Sequence, residues 1–246
     1  MYFMVLSVLV YLSTCHCLVE NDNCGFLKWL DTTSVSVEII KKGFHRDLVM
    51  TVQLQPDGLT DVKVLLIHNW PRGVYIDPYQ LASLSDQHNW QILLDSTIDL
   101  EAPAHKSSGF VTYLYPIMDG PTSVWQNISI PIHGRYQKPS FSGTGFTSVG
   151  IELPQLLLRN EKCTQLNKLE PHTVVDAPCT ADNSTTCAWV KIQNQKGHGR
   201  VNLQFPVGDE SFAMPVCGGT LLVTLICCVA LSTYAWKHQI TNGHHT

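Results

Sequence analysis

The sequence predicts a mainly β domain, antiparallel and of β-sandwich type, followed by one C-terminal transmembrane helix. Three observations lead there. Eight short runs of β-branched and aromatic residues are punctuated by Pro, Gly, Asn or Asp. No long stretch outside the C-terminal run keeps the 3.6-residue period of an amphipathic helix. The third is Val216 to Trp236, which carries no charge. At about 1.5 Å per residue that run crosses one hydrocarbon core of roughly 30 Å.

Composition agrees. The 246 residues hold 16 Lys+Arg against 20 Asp+Glu, a net charge of −4, and only 15% are charged. An average soluble protein has about 25%. The sign and the lack of basic runs exclude a nucleic-acid binder. A hydrophobic share of 44% excludes disorder.

In chain order, an apolar run from Phe3 to Leu12 is followed by small residues up to Cys17. That pattern predicts a cleaved signal peptide over residues 1–17, although the usual basic start is missing. Strands are expected at Ser34–Ile39, Val49–Leu54, Val62–Ile67, Trp90–Leu94, Phe110–Tyr115, Trp125–Ile132, Ala188–Gln193 and Val201–Phe205. One short helix is expected over Asp77–Leu84, with Asp77 as cap and Pro78 in the first helical position. Residues 140–145, small and polar, read as a loop. Residues 18–215 form the β-rich domain, 216–236 the span and 237–246 the tail. A signal peptide before one span gives a single-pass type I protein with its large domain lumenal. The small triplet Cys217-Gly218-Gly219 lacks the polar spacer of a lipid-attachment signal.

The expected lumenal part holds Cys24, Cys163, Cys179 and Cys187. An even count in an oxidising compartment suggests two disulfides, with three pairings open. Cys163, Cys179 and Cys187 lie close in sequence and are expected to supply at least one bridge, with Cys24 the odd member. Their spacing does not suit zinc. Asn127 and Asn183 begin Asn-x-Ser/Thr sequons and are expected to carry glycans.

Catalytic signatures are absent from the sequence. There is no Asp-x-Asp, no His-Glu-x-x-His, no Gly-x-Ser-x-Gly and no P-loop. No catalytic residue, metal or cofactor is therefore expected. Two polar clusters remain, Gly43-Phe44-His45-Arg46-Asp47-Leu48 and His133-Gly134-Arg135-Tyr136. Each reads either as loop hydrogen bonding with a local ion pair or as a protein-contact patch, since Arg and aromatic residues dominate interface hot spots. In the span, Thr220, Thr224, Cys228 and Ser232 recur every fourth residue. They form a slanted face of small residues suited to close helix approach, unless their hydroxyls simply bond back to their own helix.

Six segments carry a family resemblance. They are Gly43–Leu48 (GFHRDL), Gly73–Leu84 (GVYIDPYQLASL), Asp99–Pro103 (DLEAP), His133–Pro139 (HGRYQKP), Ala177–Cys179 (APC) and Phe205–Gly208 (FPVG). In these the chain resembles the PIG-X family. The resemblance implies a type I glycoprotein of the endoplasmic reticulum membrane. It implies a non-catalytic subunit that binds and stabilises PIG-M, the polytopic catalytic subunit of glycosylphosphatidylinositol (GPI) mannosyltransferase I. That complex transfers the first mannose from dolichyl-phosphate mannose to the GPI precursor. A cell-surface adhesion or receptor ectodomain is the competing reading, because topology and β-sandwich suit it equally.

Overall fold

The computed structural model describes residues 33–54, 62–85, 89–117, 125–141, 143–161, 163, 173–182, 185–192 and 199–242. The expected signal peptide, Cys24 and Asn183 lie outside the described residues.

The domain is built from antiparallel strands. One sheet has four strands in the order β1-β2-β7-β4, with β1 at Ser34–Ile40, β2 at His45–Gln53, β4 at Val74–Tyr75 and β7 at Trp125–Gly134. The second has six, β10-β11-β9-β3-β6-β5. Its members are β3 (Val62–Trp70), β5 (Trp90–Leu94), β6 (Phe110–Pro116), β9 (Gln155–Asn160), β10 (Thr173–Pro178) and β11 (Thr186–Lys191). A pair of β8 (Phe146–Glu152) and β12 (Arg200–Pro206) completes it.

The period-two pattern decides which faces meet. Leu48, Met50 and Val52 of β2 point inward with Ile128, Ile130 and Ile132 of β7. Val64, Leu66 and Trp70 of β3, Leu156 and Leu158 of β9 and Leu203 and Phe205 of β12 join the same core. The two large sheets thus face each other across one apolar layer, as in a β-sandwich. The outer face of the six-stranded sheet holds a smaller cluster around Leu65, Leu157 and Trp189.

Strands β4, β8, β9 and β10 are additions to the sequence reading. Strand β9 lies between β11 and β3, so Leu156, Leu157 and Leu158 are all buried. A strand covered on both faces reads as an unbroken apolar run and loses its alternation. Helix α1 spans Pro78–Ser85. Asp77 caps it as expected, its Oδ1 accepting from the Tyr79 N–H at 2.9 Å.

Helix α2 runs Ala213–Asn242, beginning earlier and ending later than the expected span. Its described side chains are all exposed, and Glu210–His238 is apolar enough to cross a membrane. Thr220 donates to the carbonyls of Val216 and Cys217, and Thr224 donates to that of Thr220. Those two hydroxyls therefore bond back to their own helix. Cys228 and Ser232 share the exposed surface.

Cys179 and Cys187 form a disulfide. It closes the end of the β10–β11 hairpin, where Ala177 and Pro178 pair with Cys187 and Thr186. Cys163 is also disulfide-bonded.

Candidate functional site: a convergent aromatic and basic face

Strand register brings most of the family-like segments together. In the β2–β7 ladder His45 lies opposite His133 and Arg46 opposite Ile132. Strand β4 adds Val74 opposite Gly134 and Tyr75 opposite His133. Segments 43–48, 73–84 and 133–139 thereby meet at one end of the four-stranded sheet. Segment 99–103 joins through Arg135, and 205–208 through Phe205.

Gly43, with φ of +89°, turns the chain between β1 and β2. Its carbonyl accepts from Arg46 Nε at 2.8 Å, while Arg46 Nη2 donates to the Gln204 carbonyl at 2.5 Å. The guanidinium lies 4.9 Å from the Phe205 ring centre. Arg46 therefore clamps the β1–β2 turn to β12. Asp47 pairs instead with Lys41, at 2.7 Å. That pair is partly exposed and contributes under about 1 kcal/mol.

Phe44 stacks on Phe205 at 5.7 Å and tilts against Tyr136 at 5.4 Å. Phe205 is fully buried, whereas Tyr136 is 78% exposed. The row of rings runs from the core to solvent. Gly134 lies beneath Phe205 so closely that a Cβ there would meet the ring.

His45 and His133 approach Nδ1 to Nδ1 at 2.7 Å, so one imidazole N–H donates to the lone pair of the other. His133 Nε2 is 3.0 Å from Gln80 Oε1, and Tyr75 stacks on the ring at 5.0 Å. Burial, then the neighbouring His45, hold the His133 pKa below the ordinary histidine value, against an opposite pull from Asp77.

Arg135 is only 3% exposed. Its Nη1 donates to the Ala102 carbonyl at 2.6 Å and its guanidinium sits 4.9 Å from the Tyr75 ring centre. Its own N–H donates to the Gly73 carbonyl at 2.9 Å. Of the two readings kept open for Arg135, loop hydrogen bonding or contact patch, its burial favours the first: its side chain is an internal strut that reaches Ala102 and Tyr75 in other segments of the same face. His45 and Tyr136 remain as exposed members. Phe44 and Gly134 lay within the two clusters, whereas sequence reasoning passed over Tyr75, Gln80 and Phe205 as site residues. The only signal for them was their place within the family-like segments.

Among the described residues no group of three or more His, Cys, Asp or Glu is placed to hold a metal ion. What the arrangement offers is a rigid rim of rings, imidazoles and one exposed tyrosine.

A family model for PIG-X / PBN1 matches residues 41–236. The chain belongs to the PIG-X / PBN1 family. Curated relatives of this PIG-X / PBN1 chain include three mammalian proteins named "GPI alpha-1,4-mannosyltransferase I, stabilizing subunit". The human one is 31% identical over 204 residues, covering 82% of this chain and 79% of its own. The rat and mouse ones are each 28% identical over the same length, covering 82% of this chain and 81% and 80% of theirs. No solved structure matches this PIG-X / PBN1 chain.

Proposed function

We propose that this chain is the non-catalytic stabilising subunit of GPI mannosyltransferase I in the endoplasmic reticulum membrane. It binds a PIG-M-type polytopic catalytic subunit through its lumenal face and holds that subunit in its native state. The observation that carries this is the 31% identity over 204 residues to the human stabilising subunit, spread over 82% of the chain. The fold is consistent with it. A single span encloses no site for two lipid-linked substrates, whereas a multi-span partner can.

The mechanism is mass action. A subunit that binds only the native partner adds RT ln(1 + [L]/Kd) to its stability, about 2.7 kcal/mol at 100 times Kd. On this reading Phe44, His45 and Tyr136 form the contact rim, Arg46 and Arg135 fix its shape, and Thr220, Thr224, Cys228 and Ser232 give a close-approach face in the membrane. Glycans on Asn127 and Asn183 and a cleaved signal peptide belong to the same topology. Affinity purification of the tagged full chain in mild detergent tests the proposal. The catalytic subunit should co-purify, and glycans sensitive to endoglycosidase H should mark residence in the reticulum. Processed surface glycans and no co-purifying mannosyltransferase would refute it.

A further inference from the structure

The loop after β7 is stitched to the residues that lead into the membrane helix. Ser140 N donates to the Gly208 carbonyl at 3.0 Å and Glu210 N donates to the Ser140 carbonyl at 3.3 Å. Val207 N donates to the Gly145 carbonyl at 3.0 Å. Phe146 then opens β8 opposite Pro206. Asp209 caps a 3-10 turn over Glu210–Phe212, its Oδ1 accepting from Ser211 N at 2.9 Å, and α2 starts at the next residue. Phe141 and Phe146 are thus tied to backbone within a few residues of the membrane entry, and Phe212 stands at the entry itself.

All three rings face out of the protein. Phe141 is 76% exposed, Phe146 64% and Phe212 63%. Residues 141–146 carry no charge. Phenylalanines in water gain nothing from that exposure, whereas the interfacial zone of a bilayer takes up such rings. Asn127, which begins a sequon, lies toward the other end of β7. At about 3.4 Å per residue it is roughly 20 Å from His133. Asn127 and Gly134, from which the chain leads on to Ser140, therefore lie toward opposite ends of β7.

We propose that Phe141, Phe146 and Phe212 form a membrane-contact collar that enters the lipid interface around α2 and seats the β domain on the bilayer. The occupant is lipid and not a protein partner, because the hydrogen bonds to residues 207–210 place the rings beside the chain's own point of entry. The inference rests on α2 crossing a membrane and is independent of the catalytic partner.

The test uses the full chain without a partner, reconstituted in phosphatidylcholine vesicles. Cys217, Cys227 and Cys228 are replaced by Ala, and a nitroxide label is attached at single cysteines introduced as Phe141→Cys, Phe146→Cys, Ser36→Cys and Leu221→Cys. Ser36 is exposed and pairs with Thr51, itself opposite Asn127, at the far end of the sheet. Collisions with oxygen should exceed those with a water-soluble nickel complex at positions 141, 146 and 221, and the reverse should hold at 36. Labels at 141 and 146 that behave like the one at 36, while 221 reads as lipid, would overturn the collar alone. A water-like reading at 221 would overturn the span and the collar together.

Discussion

Gly134 shows how one missing side chain positions several others. A Cβ there meets the Phe205 ring, which is fully buried and is held by Phe44 on one side and Arg46 on another. Gly134→Ala should therefore destabilise the domain by about 1–3 kcal/mol, since the ring cannot retreat without disturbing the core. Denaturant unfolding of the purified protein would register it. Arg135→Met keeps the aliphatic stem but leaves the Ala102 carbonyl unpaired, and should cost about 1–3 kcal/mol by the same measurement. Tyr136→Ala should leave stability unchanged while reducing co-purification of the catalytic subunit, because that ring projects into solvent. Equal effects of Arg135→Met and Tyr136→Ala on stability would contradict the division between strut and contact. His68 supplies a different expectation. It is buried against Trp70 at 3.9 Å between ring centres, and among the described residues neither ring nitrogen makes a well-formed hydrogen bond. Burial pushes its pKa down to about 3, with the Glu152 backbone opposing. An unfolded histidine takes up its proton near pH 6.5. Between those values the unfolded chain binds the extra proton, so stability falls as pH drops below about 6.5. The slope is at most about 1.4 kcal/mol per pH unit from this group. His133, also held low, acts in the same direction. Denaturant midpoints measured from pH 7 to pH 4 should fall, and His68→Phe should flatten the trend.

At the scale of elements, the legibility of the sequence followed burial. Strands β2 and β7 cover one core with one face each, so Leu48-Met50-Val52 and Ile128-Ile130-Ile132 alternate visibly. Strand β9 is buried on both faces and shows no alternation, and β4 is only two residues long. Helix α1 was readable because Asp77 and Pro78 are local signals. The face assembled by β2, β4 and β7 was not, because register between distant segments leaves no local trace. The Cys179–Cys187 bridge closes a short loop at the hairpin end, and the chain-entropy relation assigns a loop of that size roughly 2.5 kcal/mol. Replacing both cysteines by serine should lower the unfolding free energy by about that amount. Cys163 is bonded elsewhere, and Cys217, Cys227 and Cys228 are free. Cys24, expected as the odd member, lies outside the described residues. Non-reducing peptide mapping should return Cys24 joined to Cys163.

For the whole molecule, the parts form one device. A sandwich gathers rings and imidazoles at its strand ends on one rim, and the chain continues into one apolar helix long enough to cross a membrane. The polar clusters at 43–48 and 133–136 were legible as candidates, but their division of labour was not. Arg135 and Tyr136 are neighbours in sequence, and only the fold shows that one is buried and the other exposed. On the proposed reading, the work of this assembly is to keep a catalytic partner native. The most direct test is pulse-chase turnover of the PIG-M-type catalytic subunit in cells that lack this chain, with first-mannose addition measured in parallel. Faster loss of that subunit is expected, with mannosylation falling in proportion. Wild-type chain should restore both, and Tyr136→Ala should restore them less well. A catalytic subunit of normal abundance and lifetime, coupled with abolished mannosylation, would contradict the stabilising role and assign this chain a direct part in the reaction.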